Sequence, residues 1–232
     1  MLPRTKIIVA AIIIFLGLIV LDQVRRHSQT DETEDVAFTQ DDPSKKEKDV
    51  DDSWKEFASA AGLFKVMLPA LPQHASEVVP LPTGQGFIKY DMYLSQGKDG
   101  STYMISLIQY PDTFKASDPY ELLEDVMKEM MAANGNNKLK DSFQSRFLKV
   151  PALDFSILNN SVSIRSKTFF VNKTLFVLTL IDRNTDKLDE RFQKFVGSFQ
   201  FGENMTEQPK SQDDKKSSEK QPQPDPEHSS EQ

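Results

Sequence analysis

The sequence has no cysteine, only three histidines and no dense run of lysine or arginine. Without cysteine the chain forms no disulfide, no thiolate metal site and no thiol nucleophile. Nucleic-acid binding normally needs a basic stripe that neutralises phosphates, so we expect no nucleic-acid partner. A catalytic histidine must be held at a fixed geometry to a nucleophile and to an orienting group. His27, His74 and His228 are far apart in the chain, and we expect His74 to be a surface loop residue.

Two short motifs resemble ligand-binding loops but lack residues that such loops require. Gly84-Gln85-Gly86 has no third glycine and precedes a predicted strand, so it does not form a dinucleotide-binding loop. Asp182, Asn184 and Asp186 have the spacing of the first three ligands of a calcium loop. A lysine then stands where that loop requires glycine, and a glutamine stands where it requires glutamate. The sequence therefore predicts no cofactor, no metal site and no enzyme activity.

Residues 7–21 form an apolar run, IIVAAIIIFLGLIVL, without a charged side chain. As a helix with a rise of ~1.5 Å per residue, the run spans roughly 22 Å, less than the ~30 Å hydrocarbon core of a bilayer. It is therefore the core of a cleaved signal peptide, a retained anchor extended by its neighbours, or a buried helix of a soluble domain. No small-residue cleavage pattern follows it, and it has no polar stripe. These features favour a transmembrane anchor over residues 7–24, after a short flank over residues 1–6.

The orientation of this anchor depends on a nearly balanced charge count. Arg4 and Lys6 precede the apolar run, and Arg25 and Arg26 follow it. A short N-terminus before one large domain favours an N-terminus that stays inside the cell. We therefore expect a single-pass membrane protein whose C-terminal domain is extracytoplasmic, or periplasmic if the source is bacterial.

The acidic charge of the chain is concentrated in two flanks of a nearly neutral central region. Residues 22–53 carry 5 basic and 11 acidic side chains, and residues 203–232 carry 4 basic and 8 acidic ones. Both flanks are poor in apolar residues, so burial cannot offset the entropy that is lost on ordering. We predict a disordered acidic linker over residues 25–53, a folded domain over residues 54–202 and a disordered polar tail over residues 203–232.

The central region begins with short apolar pieces and then a hairpin. Residues 69–82 contain several prolines, which predict an irregular crossing. Apolar and polar residues alternate from Phe87 to Leu94, with Lys89 and Asp91 on the polar side. A glycine-containing turn follows, and a second strand over residues 102–110 completes the predicted hairpin.

A longer set of strands follows in the second half of the domain. Strands are predicted over residues 139–147, 152–158, 162–171 and 174–181. Asn159-Asn160 and Asn172-Lys173 indicate tight turns, because asparagine tolerates positive φ angles. Residues 175–181 are almost wholly apolar, which predicts a central strand that is covered on both faces.

Two amphipathic helices are predicted on either side of these strands. In the first, Asp118 is the N-cap and Pro119 takes the first helical position. Its apolar face carries Leu123, Val126, Met127, Met130 and Met131. The methionines either line a binding groove or make core contacts, and their helical spacing favours the core. The second helix begins after an N-cap at Asn184 or Thr185, and its stripe is Leu188, Phe192, Phe195, Val196 and Phe199.

These elements predict an α+β fold, an antiparallel β-sheet with flanking helices, preceded by a single N-terminal transmembrane helix. The stretches that carry a family resemblance are GLFKVMLPALP at 62–72, YMISLIQYPD at 103–112, FLKVPALDFSIL at 147–158, SIRSKTFFVNKTLFVLTL at 163–180 and ERFQKFVGSFQF at 190–201. In this order they resemble the PsbP-like fold family, which includes extrinsic proteins of the photosystem II oxygen-evolving complex, Ran-binding nuclear import factors and bacterial domains of unknown role. The resemblance implies a binding or accessory module, and it transfers no functional residue to this chain.

The sequence thus predicts a membrane-tethered, non-enzymatic module that binds a protein partner or supports a membrane complex. Tyr110, Phe114 and Tyr120 lie between two prolines, and we expect them to be exposed aromatic residues that contact the partner. The alternative is a carrier of a small molecule or lipid, with a cavity between the sheet and the methionine-rich helix.

Overall fold

The computed structural model describes residues 54–81, 86–116 and 118–206. The predicted anchor over residues 7–24, the linker over residues 25–53 and Gly84-Gln85 lie outside the described residues. No helix within the described ranges is long and apolar enough to span a bilayer.

Seven strands form one antiparallel sheet with the order β3-β4-β5-β9-β8-β7-β6. The strands are β3 (Gln73–Pro80), β4 (Phe87–Gln96), β5 (Thr102–Gln109), β6 (Asn137–Phe147), β7 (Val150–Asn159), β8 (Val162–Val171) and β9 (Thr174–Asp182). The predicted hairpin is β4–β5, and the predicted second set is the meander from β6 to β9. The antiparallel α+β class is therefore confirmed.

The fourth position in the sheet belongs to β9, and all of its residues are buried. On one face, Leu175, Val177 and Ile181 join a core cluster with a helix. On the other face, Phe176, Leu178 and Leu180 join a second, largely aromatic cluster. The prediction of a central strand covered on both faces is confirmed.

The first face, called the α1 face below, is covered by helix α1 (Pro119–Ala132). Asp118 caps this helix as predicted, because its Oδ1 accepts a hydrogen bond of 2.8 Å from the Tyr120 backbone N–H. Leu123, Val126 and Met130 are buried, and Met127 and Met131 pack against the same cluster. The predicted core role of the methionines is confirmed.

The second face, called the aromatic face below, is covered by a small sheet and by helix α2 (Leu188–Gly197). The small sheet has the order β1-β2-β10, with β1 (Lys55–Ala58), β2 (Phe64–Leu68) and β10 (Gln200–Phe201). Phe192, Phe195, Val196 and Phe199 are buried as predicted. The predicted N-cap is wrong: Lys187 precedes α2 without a side-chain cap, because the Asn184 Oδ1 accepts from the Asp186 backbone N–H outside the helix.

The loops of the meander depend on backbone conformations with positive φ. Asn160 has a φ of 52° and Asn172 of 46°, as the asparagine pattern predicts. Leu148 and Lys149 also have positive φ angles, of 48° and 73°, although neither residue type favours this region. The register of ten paired residues on each side of that loop overrides the local preference.

The strand β3 contradicts the predicted irregular crossing over residues 69–82. Its residues QHASEVVP are mostly exposed, so they show no alternation of apolar and polar side chains. The strand forms because its backbone pairs with β4 from Gln73 opposite Leu94 to Pro80 opposite Phe87. Pro80 is tolerated because it lies at the end of a strand at the edge of the sheet.

The folded domain continues beyond the predicted boundary at residue 202. A helical turn, α3 (Glu203–Thr206), follows β10, and Met205 is only 6% exposed within the aromatic cluster. The Asn204 side chain donates to the Ala61 carbonyl at 2.8 Å, and the Asn172 side chain donates to the Met205 carbonyl at 2.8 Å. The one apolar residue of the predicted tail is thus part of the core.

Ending the chain after Gly202 is expected to lower the free energy of unfolding by about 2 kcal/mol. The truncation removes a buried methionine side chain and leaves the Ala61 carbonyl without its donor. Urea denaturation in detergent, followed by the fluorescence of Trp54, measures the change. A chain that ends after Thr206 is the control and should unfold with the midpoint of the full chain; equal midpoints for both truncations would contradict the prediction.

Candidate functional site

The three aromatic residues predicted as a partner-binding site are packed into the domain. Tyr110 is 9% exposed, and its ring stacks on Phe114 with 4.0 Å between the centroids. Phe114 and Tyr120 are half-buried against the α1-face cluster, and the Tyr120 hydroxyl lies 3.3 Å from the Ser145 carbonyl. The expectation of an exposed aromatic group is wrong, because the segment folds back onto the sheet. The binding role of these rings stays a prediction, and their replacement by alanine would also remove core contacts.

The densest polar cluster of the described residues surrounds Asp91 on the aromatic face of β4. Asp91 is 3% exposed, and its carboxylate contacts side chains of β3, β4 and β5. His74 Nε2 lies 3.0 Å from Oδ1, and the Lys89 Nζ lies 2.9 Å from Oδ2. The Gln109 side chain donates to Oδ2 at 3.1 Å. Asp91 therefore connects three strands at the β3 end of the sheet.

The electrostatics of this cluster favour the ionised carboxylate. Burial alone would raise the pKa of Asp91, but hydrogen bonds from Lys89, Ser76 and His74 outweigh it and hold the pKa below its ordinary value. The imidazole of His74 also stacks on Tyr93, with 4.3 Å between the centroids. The prediction that His74 is a loop residue is wrong, because β3 places it opposite Tyr93 in the sheet.

A carboxylate that orients an imidazole, as Asp91 does for His74, is also part of hydrolytic triads. A triad needs a nucleophile that hydrogen-bonds to the second ring nitrogen of the histidine. The neighbouring hydroxyl, on Ser76, hydrogen-bonds to Asp91 itself. His74 and Ser76 thus hold β3 to β4 through Asp91. Within the described residues, no hydroxyl group is recorded in contact with the His74 ring.

A second buried charge is paired on the aromatic face between β7 and β8. The Lys167 Nζ lies 2.6 Å from the Asp154 Oδ2, and the two side chains are 10% and 6% exposed. The Ser145 hydroxyl donates to the same oxygen, and the ring centroid of Phe147 lies 5.5 Å from the ammonium group. Removing one partner of such a pair is costly because the other charge stays buried, so this contact also holds neighbouring strands together.

The residues that resemble a calcium loop contribute to a third charged group. The Asp182 Oδ1 accepts from the Asn184 backbone N–H at 2.8 Å, and Arg191 of α2 lies between Asp182 and Asp99. The Arg191 Nη2 is 2.8 Å from the Asp182 Oδ2 but is not aligned with it as a hydrogen bond. Burial raises the pKa of Asp182, against the opposing effects of the Asn184 N–H and Arg191. The guanidinium group of Arg191 thus occupies the position beside the Asp182 carboxylate where a calcium ion would have to bind.

Exposed apolar side chains mark the two edges of the large sheet. Leu71, Val78 and Phe87 lie at the β3 edge, with exposed fractions between 56% and 79%. At the other edge are Leu139, Phe143, Leu148 and Leu158, with exposed fractions between 41% and 50%. This second group is accompanied by exposed basic residues, Lys138, Lys140, Arg146 and Lys149. These eight residues, on and beside β6, are called the β6 surface below.

The sequence predicted β6 as a strand but not as the edge of the sheet, and it did not identify the β6 surface. Alternate basic and apolar residues in NKLKDSFQSRF were the available signal, because lysine is common on edge strands. The Asp91 cluster was also missed, since its members come from three strands and are brought together by the sheet register.

Replacing Asp91 with asparagine is expected to flatten the acid dependence of stability. Because the folded-state pKa of Asp91 lies below the ordinary value, its ionisation stabilises the fold above about pH 4, and this contribution is lost as the pH falls further. At pH 7 the variant should lose roughly 1–3 kcal/mol, because its donors then face a neutral amide. Urea unfolding between pH 7 and pH 3 checks this, with the exposed Asp186→Asn as control; parallel pH curves for wild type and Asp91→Asn would contradict it.

No protein-family model and no curated protein matches the chain. Among solved structures, it is similar to the solution structure of cyanobacterial PsbP (CyanoP) from Synechocystis sp. PCC 6803. The two are 11% identical in sequence, the match covers 64% of this chain and 92% of that one, and the TM-score is 0.44.

Proposed function

We propose that this chain is a membrane-tethered, non-enzymatic module that binds a protein partner through the β6 surface or supports a membrane complex. The apolar run over residues 7–21 supplies the tether, the acidic residues 25–53 act as a spacer, and the domain is extracytoplasmic. The observation that carries the proposal is the edge strand β6, which has no outer neighbour within the described ranges and carries exposed apolar and basic side chains.

The pairing of buried charges supports a non-enzymatic role. Asp91, Asp154 and Asp182 each contact a cationic side chain of the same domain. Lys167 joins β8 to β7, and Arg191 joins α2 to β9. Lys89 lies on the same strand as Asp91, which His74 and Gln109 join to β3 and β5. The titratable groups thus contribute to the fold. A catalytic acid or base would instead be directed into a cleft toward a substrate.

The composition of the β6 surface supports a binding role. Four large apolar side chains that are each at least 41% exposed lie along this edge: Leu139 and Leu158 near the start of β6, Phe143 near its middle and Leu148 in the β6–β7 loop. Isolated exposed apolar residues are common in proteins, but grouped ones with a polar rim indicate an interaction site. The four basic residues of the surface supply such a rim and give this edge a net positive charge, since Asp141 is the one acidic residue of β6.

The test uses the full chain with a photoreactive phenylalanine analogue at Phe143, expressed in its own host. Illumination is expected to give a discrete crosslinked product in the membrane fraction, because Phe143 is half exposed at the centre of the β6 surface. The matched control carries the analogue at Phe87, which is exposed at the opposite edge. A chain without residues 1–24 should leave the membrane fraction.

Two outcomes would contradict the proposal. Equal amounts of crosslinked product from positions 143 and 87 would show that the partner does not prefer the β6 surface to the opposite edge of the sheet. Full retention of the shortened chain in carbonate-washed membranes would show that residues 1–24 are not the tether.

A second candidate, a carrier of a small molecule or lipid, is favoured by two hydroxyl groups on the α1 face. The hydroxyls of Tyr90 and Ser106 are buried and have no hydrogen-bond partner among the described residues. They lie on adjacent strands, and burial raises the pKa of Tyr90. Buried hydroxyls are normally satisfied, so a bound polar group between the sheet and the helix would account for them.

The carrier function predicts a co-purified compound of fixed mass in native mass spectrometry of the full chain. Ser106→Ala should lower its occupancy, since the substitution removes one of the two hydroxyls, whereas Ser163→Ala on a solvent-facing part of β8 should not. A spectrum with only the mass of the polypeptide in both proteins would exclude the carrier.

A further inference from the structure

Among the described residues, no strand pairs with the outer edge of β6, which leaves a row of backbone donors and acceptors available. β6 is the last strand in the sheet order, and its inner edge pairs with β7 over its whole length apart from a bulge between Leu139 and Asp141. From Asp141 to Phe147 the register is continuous. Antiparallel strands direct alternate backbone groups to each side, so the outer side of this stretch can hydrogen-bond to one more strand.

Four basic side chains beside this stretch have no carboxylate partner in the described part of the chain, and Asp141 is the one acidic residue of the stretch. Lys138 and Lys140 lie at one end, and Arg146 and Lys149 lie at the other. The Arg146 side chain donates only to the Lys149 carbonyl, at 2.6 Å. Because opposite charges on neighbouring strands stabilise their pairing, acidic residues on an added strand would be favoured here.

The apolar side chains set a second requirement for the added strand. Phe143 is the third residue of the continuous stretch and lies on the aromatic face, where it is 50% exposed. Leu158 of β7 is exposed on the same face, because it lies four residues from Asp154, which pairs with Phe143. An apolar residue of an added strand next to Phe143 would cover part of this ring.

Two other occupants fit the surface less well. A second copy of this chain, paired edge to edge, would bring the lysines of two β6 strands close together, which is destabilising. An anionic membrane would attract the same lysines but would leave the backbone donors of β6 without acceptors of regular spacing. An extended acidic peptide satisfies the backbone, the charges and the ring together.

We infer that the β6 edge binds an extended, acidic segment of a partner protein by β-strand addition, with an apolar residue of that segment against Phe143. This inference rests on the proposed function and specifies the partner's chemistry. Strand addition derives affinity from main-chain hydrogen bonds and specificity from alternate side chains. The chain's own acidic residues 25–53 would act as a weak competitor for the same edge.

The experiment uses the full chain in neutral detergent and a short synthetic peptide in which glutamate alternates with valine and threonine. Binding is expected to slow hydrogen exchange of backbone amides over residues 141–147 and to leave Gln73–Pro80, the other edge, unchanged. Lys138→Glu with Lys140→Glu should weaken binding about tenfold. The control Lys55→Glu with Lys65→Glu changes the same charge on exposed residues of the small sheet and should bind as the wild type does.

Several outcomes would overturn the inference. Equal binding of a peptide with lysine in place of glutamate would remove the charge requirement. Binding of vesicles of phosphatidylcholine and phosphatidylserine, without binding of the peptide, would indicate a membrane contact. If a chain without residues 25–53 showed faster exchange at β6 and the peptide never bound, the occupant would be the chain's own linker. If the peptide does not bind but position 143 still gives a crosslinked product, strand addition is overturned and the proposed function is not.

Discussion

The central strand β9 is buried at every position, so both faces of the sheet must be covered by other elements. The chain provides two different covers. Helix α1 closes one face with leucine, valine and methionine side chains, and α2 with the small sheet closes the other with aromatic rings. The small sheet also unites the two ends of the domain, because β2 pairs with β1 on one side and with β10 on the other. Met205 then adds to the same cover from the segment after β10, which explains why the domain continues beyond residue 202.

Within the described ranges, the buried carboxylates of Asp91, Asp154 and Asp182, each with a cationic neighbour, lie on the aromatic face. The small sheet and α2 lie over the middle of that face, on Tyr93, Tyr103, Phe176 and Phe169. On β4 and β8, Asp91 and Lys167 take buried positions on the same face. Asp91 contacts His74 on β3 as well as Lys89 on its own strand, and Lys167 pairs with Asp154 on β7. Such pairs contribute little net stability but penalise a shifted register, since a slip of one residue would separate the charges.

The sequence predicted most of what depends on local patterns. The apolar run of β9, the stripe of α1 with its cap at Asp118, and the turns at Asn160 and Asn172 all have a local physical cause and were identified. What depends on long-range pairing was missed. Strand β3 has an exposed, mixed sequence and exists through its ladder with β4, and His74 reaches Asp91 because of that ladder. Tyr110 illustrates the same limit: its position between a strand and a proline suggested exposure, while its stacking on Phe114 requires a fold-back that no local pattern encodes.

The two edges of the sheet differ in a way that bears on function. At the β3 edge, Pro80 cannot donate a hydrogen bond and His74 and Ser76 turn toward Asp91, so part of the strand is engaged within the domain. At the β6 edge, the longer strand holds its basic side chains in solvent without carboxylate partners in the described domain. Lysine on an edge strand opposes pairing with an identical strand, and the bulge next to Lys140 shortens the regular ladder. Both features oppose self-association, and neither opposes an acidic strand. Among the described strands, β6 therefore combines an edge that resists pairing with its own copy and a charge that favours an acidic strand.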